Sequence, residues 1–352
     1  MVLRVPLGED AVDVSVVSWN SWPDLRKNLP ALAAQDYPSY RILVVDNGST
    51  DATADEVEAN FPDVTVIRSA HNGGYAGGNN IAFAQSRSKY IAVLNPDARP
   101  EQGWLRALVR ALESNPNAAL ATSKVLLASD AARVNACGLD VHLSGIAFCR
   151  ALGEPQDEHV LDADVAAVSG AAFLVRRDML EEIGGLDERF FMYMEDTELS
   201  MRARLAGRDV VMTPRSRVVH DYALSVPPAK FYYLERNRIF MLANIFRWRT
   251  LALMLPALLL AEAGVWVYAA RCGSRMLAVK TRSYVAVARS LRAMLRRRKG
   301  VQAVRRVGDR ALIEQMTPEL PQGLAAQPGR LTAVANRCFR GYFLILRHLV
   351  RW

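Results

Sequence analysis

The chain has 352 residues, of which 51% are hydrophobic and 23% are charged. This composition excludes a disordered chain and suffices for one large α/β domain with an appendage, or for two modest domains. The net charge of +8 is unevenly distributed, because residues 271–352 contain 18 Lys and Arg against 3 Asp and Glu. A neutral-to-acidic body therefore precedes a basic tail, which would attract either lipid headgroups or nucleic acid.

The cysteines and the first residues indicate the compartment. Cys137, Cys149, Cys272 and Cys338 lie far apart and form no Cys-x-x-Cys pair, which favours reduced thiols and argues against a structural zinc site. Residues 1–10 contain no apolar run, so we expect no secretory signal and a cytosolic setting.

Strands alternate with helices in the first part of the chain. Short apolar runs predict strands at residues 12–17, 41–45, 64–68, 90–94 and 119–127. Between them a helix begins at Pro23, a capping box of Thr53 and Glu56 starts a second helix, and residues 101–114 carry a helical apolar stripe. This alternation predicts an α/β fold with a mostly parallel sheet, in which ligands bind outside the carboxyl ends of the strands.

The periodicity weakens after residue 127. Residues 131–163 predict short antiparallel strands or a substrate loop, and residues 165–175 predict a strand in which Gly170 allows a ligand to approach closely. A further strand is predicted at residues 209–213, before His220.

Polar clusters follow four of the predicted strands. They are Ser18-Trp19-Asn20, residues 46–51, the glycine-rich residues 72–80, and Asn95-Pro96-Asp97. Because the carboxyl ends of parallel strands meet at one edge of a sheet, the four clusters predict a single shared site.

Each cluster has an ordinary structural interpretation beside the functional one. Asp46 could accept a hydrogen bond from the ring N–H of a pyrimidine, or belong to a common Asn-Gly turn. Residues 72–80 could bring amides to a phosphate or ribose, although they match neither Gly-x-Gly-x-x-Gly nor a Walker loop. Asp97 could hold Mg²⁺ or Mn²⁺ or form a proline turn, and His220 becomes a ligand only beside a partner such as Asp97.

Two adjacent acids, Glu195 and Asp196, follow an aromatic stretch and open a predicted helix. Acids are favoured in a first helical turn by the helix dipole, so a charged helix start is one interpretation. The other is a general base, a carboxylate whose pKa is raised by apolar walls. Neighbouring helical residues point about 100° apart, so only one of the two acids can face a substrate hydroxyl.

In this order, the clusters resemble the inverting family 2 glycosyltransferases of the GT-A fold, particularly their rhamnosyltransferase-like branch. The matching stretches are residues 16–20, 44–51, 72–80, 94–97, 169–173 and 185–191, the last continuing into Glu195 and Asp196. The resemblance spans residues 12–240. Asn95 departs from the family, since many relatives carry the first Asp of an Asp-x-Asp motif there.

The resemblance implies a role for each residue of the site. Donor binding is implied for Ser18, Trp19, Asn20, Asp46, Asn72, Gly73, Gly74, Asn79, Asn95 and Asp97. Asp97 and His220 would hold Mg²⁺ or Mn²⁺ at the diphosphate. Asp196 would take the proton of the acceptor hydroxyl while Glu195 orients it, with Gly170, Ala171 and Glu195 on the acceptor side.

The resemblance also implies the domain organisation and the reaction. Residues 1–245 would form the GT-A catalytic domain, with a nucleotide-sugar half at 10–127 and an acceptor half at 128–245. The reaction would transfer L-rhamnose from dTDP-rhamnose to a lipid-linked or cell-envelope glycan acceptor. A UDP-hexose or galactofuranose donor is one alternative, and a non-catalytic nucleotide-sugar-binding protein with a polyanion-binding tail is another.

Residues 246–352 predict a basic, amphipathic, membrane-associated helical region. The apolar run 251–261 is interrupted by Pro256 and followed by Glu262, so it falls short of the roughly 20 residues that span a bilayer. An in-plane or re-entrant helix is therefore preferred, with a basic helix around residues 282–299 lying on anionic lipid. A charged face packing on the catalytic body is the alternative. We expect a peripheral or monotopic protein at the cytoplasmic face of the membrane that binds no nucleic acid.

Overall fold

The computed structural model describes residues 11–223, 225–321 and 330–352, and it defines the strands and helices as follows. The strands are β1 (Val12–Ser18), β2 (Tyr40–Asp46), β3 (Thr65–Arg68), β4 (Tyr90–Leu94), β5 (Ala98–Pro100), β6 (Ala118–Leu127), β7 (Val134–Cys137), β8 (Leu139–Val141), β9 (Ala147–Cys149), β10 (Ala163–Asp164), β11 (Ala172–Arg176) and β12 (Asp209–His220). The helices are α1 (Trp22–Ala33), α2 (Thr53–Asn60), α3 (Gly74–Gln85), α4 (Trp104–Ser114), α5 (Arg177–Ile183), α6 (Glu195–Leu205), α7 (Pro228–Ile245), α8 (Trp248–Arg271), α9 (Ser274–Arg289), α10 (Leu291–Ala303), α11 (Asp309–Glu314) and α12 (Arg330–Leu349). A short 3₁₀ helix covers Glu188–Phe190.

The chain divides into two compact units that alternate along the sequence. The first unit comprises Met1–Gly138, Cys149–Met192 and Arg208–Ala223, and the second comprises Leu139–Phe148, Tyr193–Gly207 and Leu224–Trp352. The sequence predicted two consecutive domains instead, at residues 1–245 and 246–352. The roles assigned to those domains stay predictions. The expectation about residues 1–10 lies outside the described residues.

A ten-stranded sheet organises the first unit, in the order β10-β12-β6-β11-β4-β1-β2-β3, with β5 paired to β12 and β7 to β6. Strands β4, β1, β2 and β3 are parallel, as are β6 and β12, whereas β11 runs antiparallel between β4 and β6. The expected mostly parallel sheet is therefore wrong, and the sheet is mixed. The reason is that β11 starts at the carboxyl end of β4, where Ala172 pairs with Leu94.

Helical spacing in the sequence explains how α4 packs on the sheet. Leu105, Leu108, Val109 and Leu112 recur at three- and four-residue intervals and are all buried in the main core, which confirms the predicted stripe. On helix α3, a Cβ at Gly78 would lie 2.4 Å from Val17 Cγ1 of β1. Only glycine at this position allows α3 to pack so closely on the sheet.

The predicted capping box at α2 is wrong. Thr53 is the first residue of the helix instead of its cap, and Asp51 Oδ1 accepts the hydrogen bond from Thr53 N at 3.0 Å. The Thr53 hydroxyl is buried, and its oxygen accepts from Trp22 N at 3.2 Å. The side chain therefore joins α2 to α1 and is unavailable for capping.

Three predictions after residue 127 are refined. The short strands expected in residues 131–163 are confirmed by the bounds of β7, β8 and β9. The strand expected at residues 165–175 is shorter and begins only at Ala172. The strand expected at 209–213 continues to His220 as β12, with a shift of register between Thr213 and Arg217.

A cluster of buried charges organises the second unit. Arg238 of α7 donates to Glu235 at 3.0 Å and to Glu262 of α8 at 2.7 Å. Lys280 of α9 is fully buried and pairs with Glu262 at 2.5 Å and with Glu235. Two acids and two bases therefore neutralise one another between three helices, as buried charges require.

The same cluster determines the length of α8, while the in-plane or re-entrant arrangement preferred for the tail stays a prediction. Helix α8 continues through Pro256 and Glu262 to a length of 24 residues. Glu262 can lie within this helix because Arg238 and Lys280 pair with its carboxylate. By length and a mean hydropathy of 1.8 it could cross a bilayer, but one such helix among the described residues is weak evidence of a span. The continuous helix expected at 282–299 is interrupted at Ser290, between α9 and α10.

Candidate active site

In the first unit, the ends of β1 and β2 bring together two residues that are predicted to bind the sugar donor. Ser18 pairs with Asp46 in the parallel register, and Asn47 N donates to Ser18 O at 2.8 Å. The Ser18 Oγ is buried and has no hydrogen-bond partner among the described residues. A buried hydroxyl left unsatisfied costs about 1–3 kcal/mol, so this atom is suited to a ligand donor or acceptor.

The loop between β1 and α1 is fixed by Asn20. Its backbone has a left-handed φ of 51°, and its Oδ1 accepts from Thr50 N at 2.8 Å. Asn20 N in turn donates to Ser49 Oγ at 2.9 Å. Trp19, immediately before it, is 52% exposed, which is unusual for so large an apolar side chain and leaves its ring available for stacking.

Asn47 connects the end of β2 to the glycine-rich loop. This buried amide donates from Nδ2 to Gly74 O at 2.9 Å and to Asn72 Oδ1 at 3.1 Å, and its Oδ1 accepts from Gly73 N at 3.0 Å. The structure therefore brings the predicted residues 72–74 to the strand ends that carry Ser18 and Asp46. Asn47 appeared in the sequence only as part of an Asn-Gly turn, and its bonding pattern was not foreseen.

Gly74 holds the same loop against a second loop. Its φ is +70°, and a Cβ at this position would lie 2.2 Å from Phe191 O. The neighbouring Ala76 N donates to that same Phe191 O at 3.2 Å. Glycine is therefore required here for its backbone conformation and because the two loops approach each other closely.

Asn79 was also predicted to bind the sugar donor, but the structure separates it from the other residues of that set. It is fully buried on the sheet side of α3, where its Oδ1 accepts from Ser15 Oγ at 2.8 Å and its Nδ2 donates to Tyr75 O at 3.0 Å. With both ends of its amide bonded, Asn79 holds the helix on β1 and presents no free group to a ligand.

The Asn95-Pro96-Asp97 loop is brought next to the predicted acceptor residues. Asn95 N donates to Ala171 O at 2.9 Å, and Tyr75 Oη of α3 donates to Gly170 O at 2.6 Å. Helix α1 supports the loop, because Asn28 Nδ2 donates to Pro96 O at 2.8 Å. Asn95, Gly170 and Ala171 therefore share one corner of the sheet edge.

Asp97 and His220, the predicted metal ligands, are adjacent. The pairing of β5 with β12 sets His220 opposite Ala98 and leaves its Nε2 3.2 Å from Asp97 Oδ1. The other ring nitrogen, Nδ1, lies 3.0 Å from Asn135 Oδ1 of β7. An amide oxygen only accepts, so Nδ1 carries a proton, and Nε2 is the ring nitrogen that faces the Asp97 carboxylate.

This pair fits a divalent cation. Asp97 Oδ1 accepts no hydrogen bond from the described residues, and a neutral imidazole beside a carboxylate is a suitable donor set for Mg²⁺ or Mn²⁺. Asn135 supplies the outer hydrogen bond that orients a ligand histidine. Sequence reasoning missed Asn135, because β7 carries no motif and reaches His220 only through the sheet.

The electrostatics around Asp97 also favour a cation. Burial raises the pKa of Asp24, and the charges of Asp97 and Asp221 raise it further. The negative charges of Asp97 and Asp221 therefore repel the ionised form of Asp24, although Lys27 opposes this effect. A bound cation would relieve that repulsion.

Glu195 and Asp196 belong to the second unit, where they open α6 as predicted. The two preceding residues, Tyr193 and Met194, have left-handed φ values of 66° and 71°. Asn237 of α7 is buried and donates from Nδ2 to Tyr193 O at 2.7 Å. Such backbone strain persists only where surrounding contacts impose it, as they do here.

The two acids differ in their environments. Glu195 is 4% exposed, and burial first, then the neighbouring Asp196, raise the pKa of its carboxyl well above the usual range. Its Oε2 has no hydrogen-bond partner among the described residues. Asp196 is half-buried, and its Oδ1 accepts from Thr197 N at 2.6 Å. Glu195 is therefore the buried acid with the raised pKa, and Asp196 is the more accessible of the two.

The fold is that of known glycosyltransferases. The chain is similar to a structure of GalNAc-T7 with UDP, GalNAc and Mn²⁺, at a TM-score of 0.54 and 17% identity, covering 66% of this chain and only about half (47%) of that one. It is also similar to the mannosyltransferase PcManGT of Pyrobaculum calidifontis in complex with GDP-Man and Mn²⁺, at a TM-score of 0.50 and 19% identity. This similarity covers 86% of this chain and 90% of the mannosyltransferase chain. The mixed α/β sheet with polar loops at its edge thus defines a glycosyltransferase fold of the GT-A type.

Sequence comparison identifies the family. Residues 13–184 match the model for glycosyl transferase family 2. The N-acetylglucosaminyl-diphospho-decaprenol L-rhamnosyltransferase of Mycobacterium tuberculosis is 27% identical over 243 residues, or 61% of this chain and 78% of the relative. The low-salt glycan biosynthesis hexosyltransferase Agl10 of Haloferax volcanii is 26% identical over 255 residues, or 67% and 77%. The chain carries a family 2 glycosyltransferase domain, and it is a glycosyltransferase that takes its sugar from a nucleotide-sugar donor.

Proposed function

We propose that the protein is an inverting glycosyltransferase that moves L-rhamnose from dTDP-rhamnose to a hydroxyl of a lipid-linked or cell-envelope glycan acceptor. The observation that carries the proposal is the Asp97–His220 pair, which Asn135 orients beside the polar loops. The rhamnose assignment is supported by the mycobacterial relative, whose name gives both rhamnose and a decaprenol-linked acceptor. A UDP-hexose or galactofuranose is the alternative donor.

The loops of the first unit suit the parts of such a donor. Ser18 and Asp46 would receive the base beside the exposed Trp19 ring, and Asn72, Gly73, Gly74 and Asn95 would lie at the ribose and phosphates. Asn79 would act indirectly, by holding α3 in place. Asp97 and His220 would hold Mg²⁺ or Mn²⁺, which neutralises charge on a diphosphate leaving group.

The acids of the second unit suit the acceptor. Asp196 would remove the proton from the attacking hydroxyl, since it is the accessible carboxylate of the two. Glu195, whose pKa is raised by burial, would orient that hydroxyl. Gly170 and Ala171 of the first unit stay the residues predicted for the acceptor side. In-line attack by a hydroxyl on the anomeric carbon inverts its configuration.

Membrane association is supported by the surface of the second unit. Leu255 and Leu259 of α8 and Leu344 and Ile345 of α12 are 50–67% exposed, and α12 also carries basic side chains. Exposed apolar side chains with a basic rim suit the surface of an anionic membrane. We place the protein at the cytoplasmic face as a peripheral or monotopic enzyme that does not use nucleic acid.

A panel of nucleotide sugars tests the donor assignment. We expect dTDP-rhamnose, in the presence of Mn²⁺, to raise the melting temperature more than UDP- or GDP-sugars, since a ligand at 100 times its Kd stabilises by about 2.7 kcal/mol. Asp97→Ala should remove the metal-dependent part of that rise. Stabilisation by a UDP-sugar alone would assign the alternative donor, and no stabilisation by any member would contradict the proposal.

A further inference from the structure

A polar pocket of about 300 Å³ lies in the first unit, between α4 and the middle of β12. Helix α4 lines it with two rows of residues at four-residue spacing, and this spacing keeps each row on one side of the helix. One row is Gly103, Ala107 and Ala111, and the other is Arg106, Arg110 and Ser114. The short side chains of the first row leave space beside the helix, and the second row brings two guanidinium groups to that space.

A bulge in β12 adds a third arginine to the pocket. The pairing of β12 with β6 shifts register between Thr213 and Arg217, and such a bulge turns side chains away from the regular alternation of a strand. Ser216 holds the bulge in place, because its buried hydroxyl donates to Trp104 O of α4 at 3.1 Å. Arg215 is exposed and lines the pocket from the side of β12.

Two of the three arginines have no acid partner. Arg106 donates from Nε to Asp36 Oδ2 at 3.1 Å, so its charge is shared with that carboxylate. Arg110 and Arg215 form no ion pair and no side-chain hydrogen bond with any residue in the ranges that the structure describes. Asp162 is the one acid among the lining residues, and it lies within ion-pair distance of neither arginine. An anion is the natural complement of two such guanidinium groups around one pocket.

The remaining lining residues indicate which kind of anion fits. Asp162 Oδ1 accepts from Thr213 Oγ1 at 2.8 Å, and together with Ser114 these side chains offer hydrogen bonds to hydroxyl groups. Among the described residues, no aromatic side chain and no leucine, isoleucine or valine lines the pocket, so a nucleobase or an acyl chain would find no apolar surface there. The lining therefore suits a small, polar, phosphorylated ligand.

We propose that Arg110 and Arg215 bind a phosphate group in this pocket, carried by a small sugar phosphate or free as inorganic phosphate. The planar donors of arginine match the geometry of phosphate oxygens and bind two of them at once. None of the lining residues belongs to the sets assigned to the sugar donor, the metal or the acceptor. The pocket is therefore a second ligand site, additional to the proposed active site.

Calorimetry on the full-length protein tests the proposal with three probes, namely glucose 1-phosphate, glucose and inorganic phosphate. The titrations are made in EDTA so that the metal-dependent donor site does not contribute. We expect Arg110→Gln and Arg215→Gln each to weaken binding of the two phosphate probes by about tenfold or more, because each removes a charge-assisted hydrogen bond. Arg87→Gln is the matched control and should stay close to wild type, since Arg87 is also exposed in the first unit and has no ion pair among the described residues.

A second variant tests the pocket itself without altering its charge. Ala107→Leu places a larger side chain in the space beside α4, and leucine is nearly as good a helix former as alanine. We expect it to abolish binding of glucose 1-phosphate while the circular dichroism spectrum stays that of the wild type. Normal binding in Ala107→Leu would show that phosphate is attracted by exposed charge alone, and it would overturn the proposal.

The probes also separate the two sources of phosphate. Tighter binding of glucose 1-phosphate than of inorganic phosphate, with the difference lost in Asp162→Asn, would identify a sugar phosphate, and equal affinities would identify free phosphate. Glucose binding as tightly as its phosphate, unchanged binding in both arginine variants, or an equal loss in Arg87→Gln would overturn the proposal.

A donor-site variant shows where the phosphate binds. Asp97→Ala should retain binding of glucose 1-phosphate in EDTA, because Asp97 does not line the pocket. Loss of that binding in Asp97→Ala would place the phosphate in the donor site and contradict a second site.

Discussion

The two units of the protein both bury amides and charges, but they differ in their buried ion pairs. In the first unit the buried Asp13 pairs with Arg41, whose side chain is 43% exposed, whereas in the second unit both partners of the Arg202–Glu198 pair are fully buried. The first unit buries neutral amides, such as Asn47, Asn79 and Asn135, each hydrogen-bonded at both ends or to a ligand side chain. The second unit buries full charges, among them Lys280 and Arg238, that pair with carboxylates. Neutral amides fix loops without contributing charge, whereas ion pairs fix helices only while every member is present.

This difference bears on function. At the sheet edge of the first unit, burial and the neighbouring Asp97 and Asp221 raise the pKa of Asp24, while Lys27 opposes the shift. A cation near these carboxylates would be favoured. In the second unit, Arg238 and Lys280 pair with the buried Glu235 and the partly buried Glu262.

The largest effect is expected where the buried charge cluster is broken. Lys280→Met leaves Glu235 and Glu262 without one of their cations in a buried environment, and removal of one member of such a cluster costs about 3–5 kcal/mol. Denaturant unfolding followed by circular dichroism should show this loss. Arg275→Met, at an exposed position of the same helix, is the control, and equal small losses in both variants would contradict the account.

A tenfold to hundredfold effect is expected from the amide behind His220. Asn135→Leu removes the acceptor that fixes the imidazole, and loss of such an outer hydrogen bond typically weakens metal affinity by about 10–100-fold. Titration with Mn²⁺ followed by electron paramagnetic resonance measures this directly. Asn60→Leu, whose side chain bonds within α2, should leave the affinity unaltered, and an unaltered affinity in Asn135→Leu would dismiss the orienting role.

Loss of the Asn237 amide, which holds the loop before Glu195, should reduce turnover more than it reduces affinity for the sugar donor. Asn237→Ala releases Tyr193 O and the left-handed turn before Glu195, and small misplacements of reacting groups cost about 10–100-fold in rate. Steady-state kinetics should show a lower kcat with the KM for donor unchanged. A proportional rise in that KM instead would mean that Asn237 acts on the whole unit and not on the acids.

A smaller, pH-dependent effect is expected at Glu195. Its pKa is raised in the folded protein, so between the unfolded value near 4.5 and the folded value the native state binds one more proton than the unfolded state. Stability from this group is therefore present below pH 4.5 and falls by about 1.4 kcal/mol per pH unit as the pH rises toward the folded pKa. Glu195→Gln should remove that slope and stabilise the protein at pH 7. Parallel stability curves for variant and wild type between pH 5 and 7 would rule out the buried neutral acid.

Much of the site could be predicted from local pattern, and the rest could not. The four polar clusters were expected at strand ends, and the structure brings Ser18 to Asp46 and Asp97 to His220 because those pairs follow directly from strand register. Asn135 was not foreseeable, because it reaches His220 through a neighbouring strand without a motif of its own. The antiparallel β11 was likewise missed, since the direction of a strand depends on the path of the preceding loop.

Two local rules failed because tertiary contacts opposed them. The Thr53 and Glu56 pattern satisfies a capping box, yet the Thr53 hydroxyl is taken by Trp22 N of another helix. Glu262 would end an apolar helix in isolation, yet α8 continues because Arg238 and Lys280 of neighbouring helices pair with it. In both cases a partner distant in sequence decided the outcome.

The most direct test of the central claim compares Asp196→Asn with Asp97→Ala in one set of transfer and binding measurements. Asp196→Asn should reduce transfer by at least about 10²–10⁴-fold, the usual contribution of a general base, while metal-dependent donor binding stays within twofold of wild type. Asp97→Ala should lose both. Substantial transfer by Asp196→Asn with normal donor binding would contradict the assignment of this carboxylate as the base.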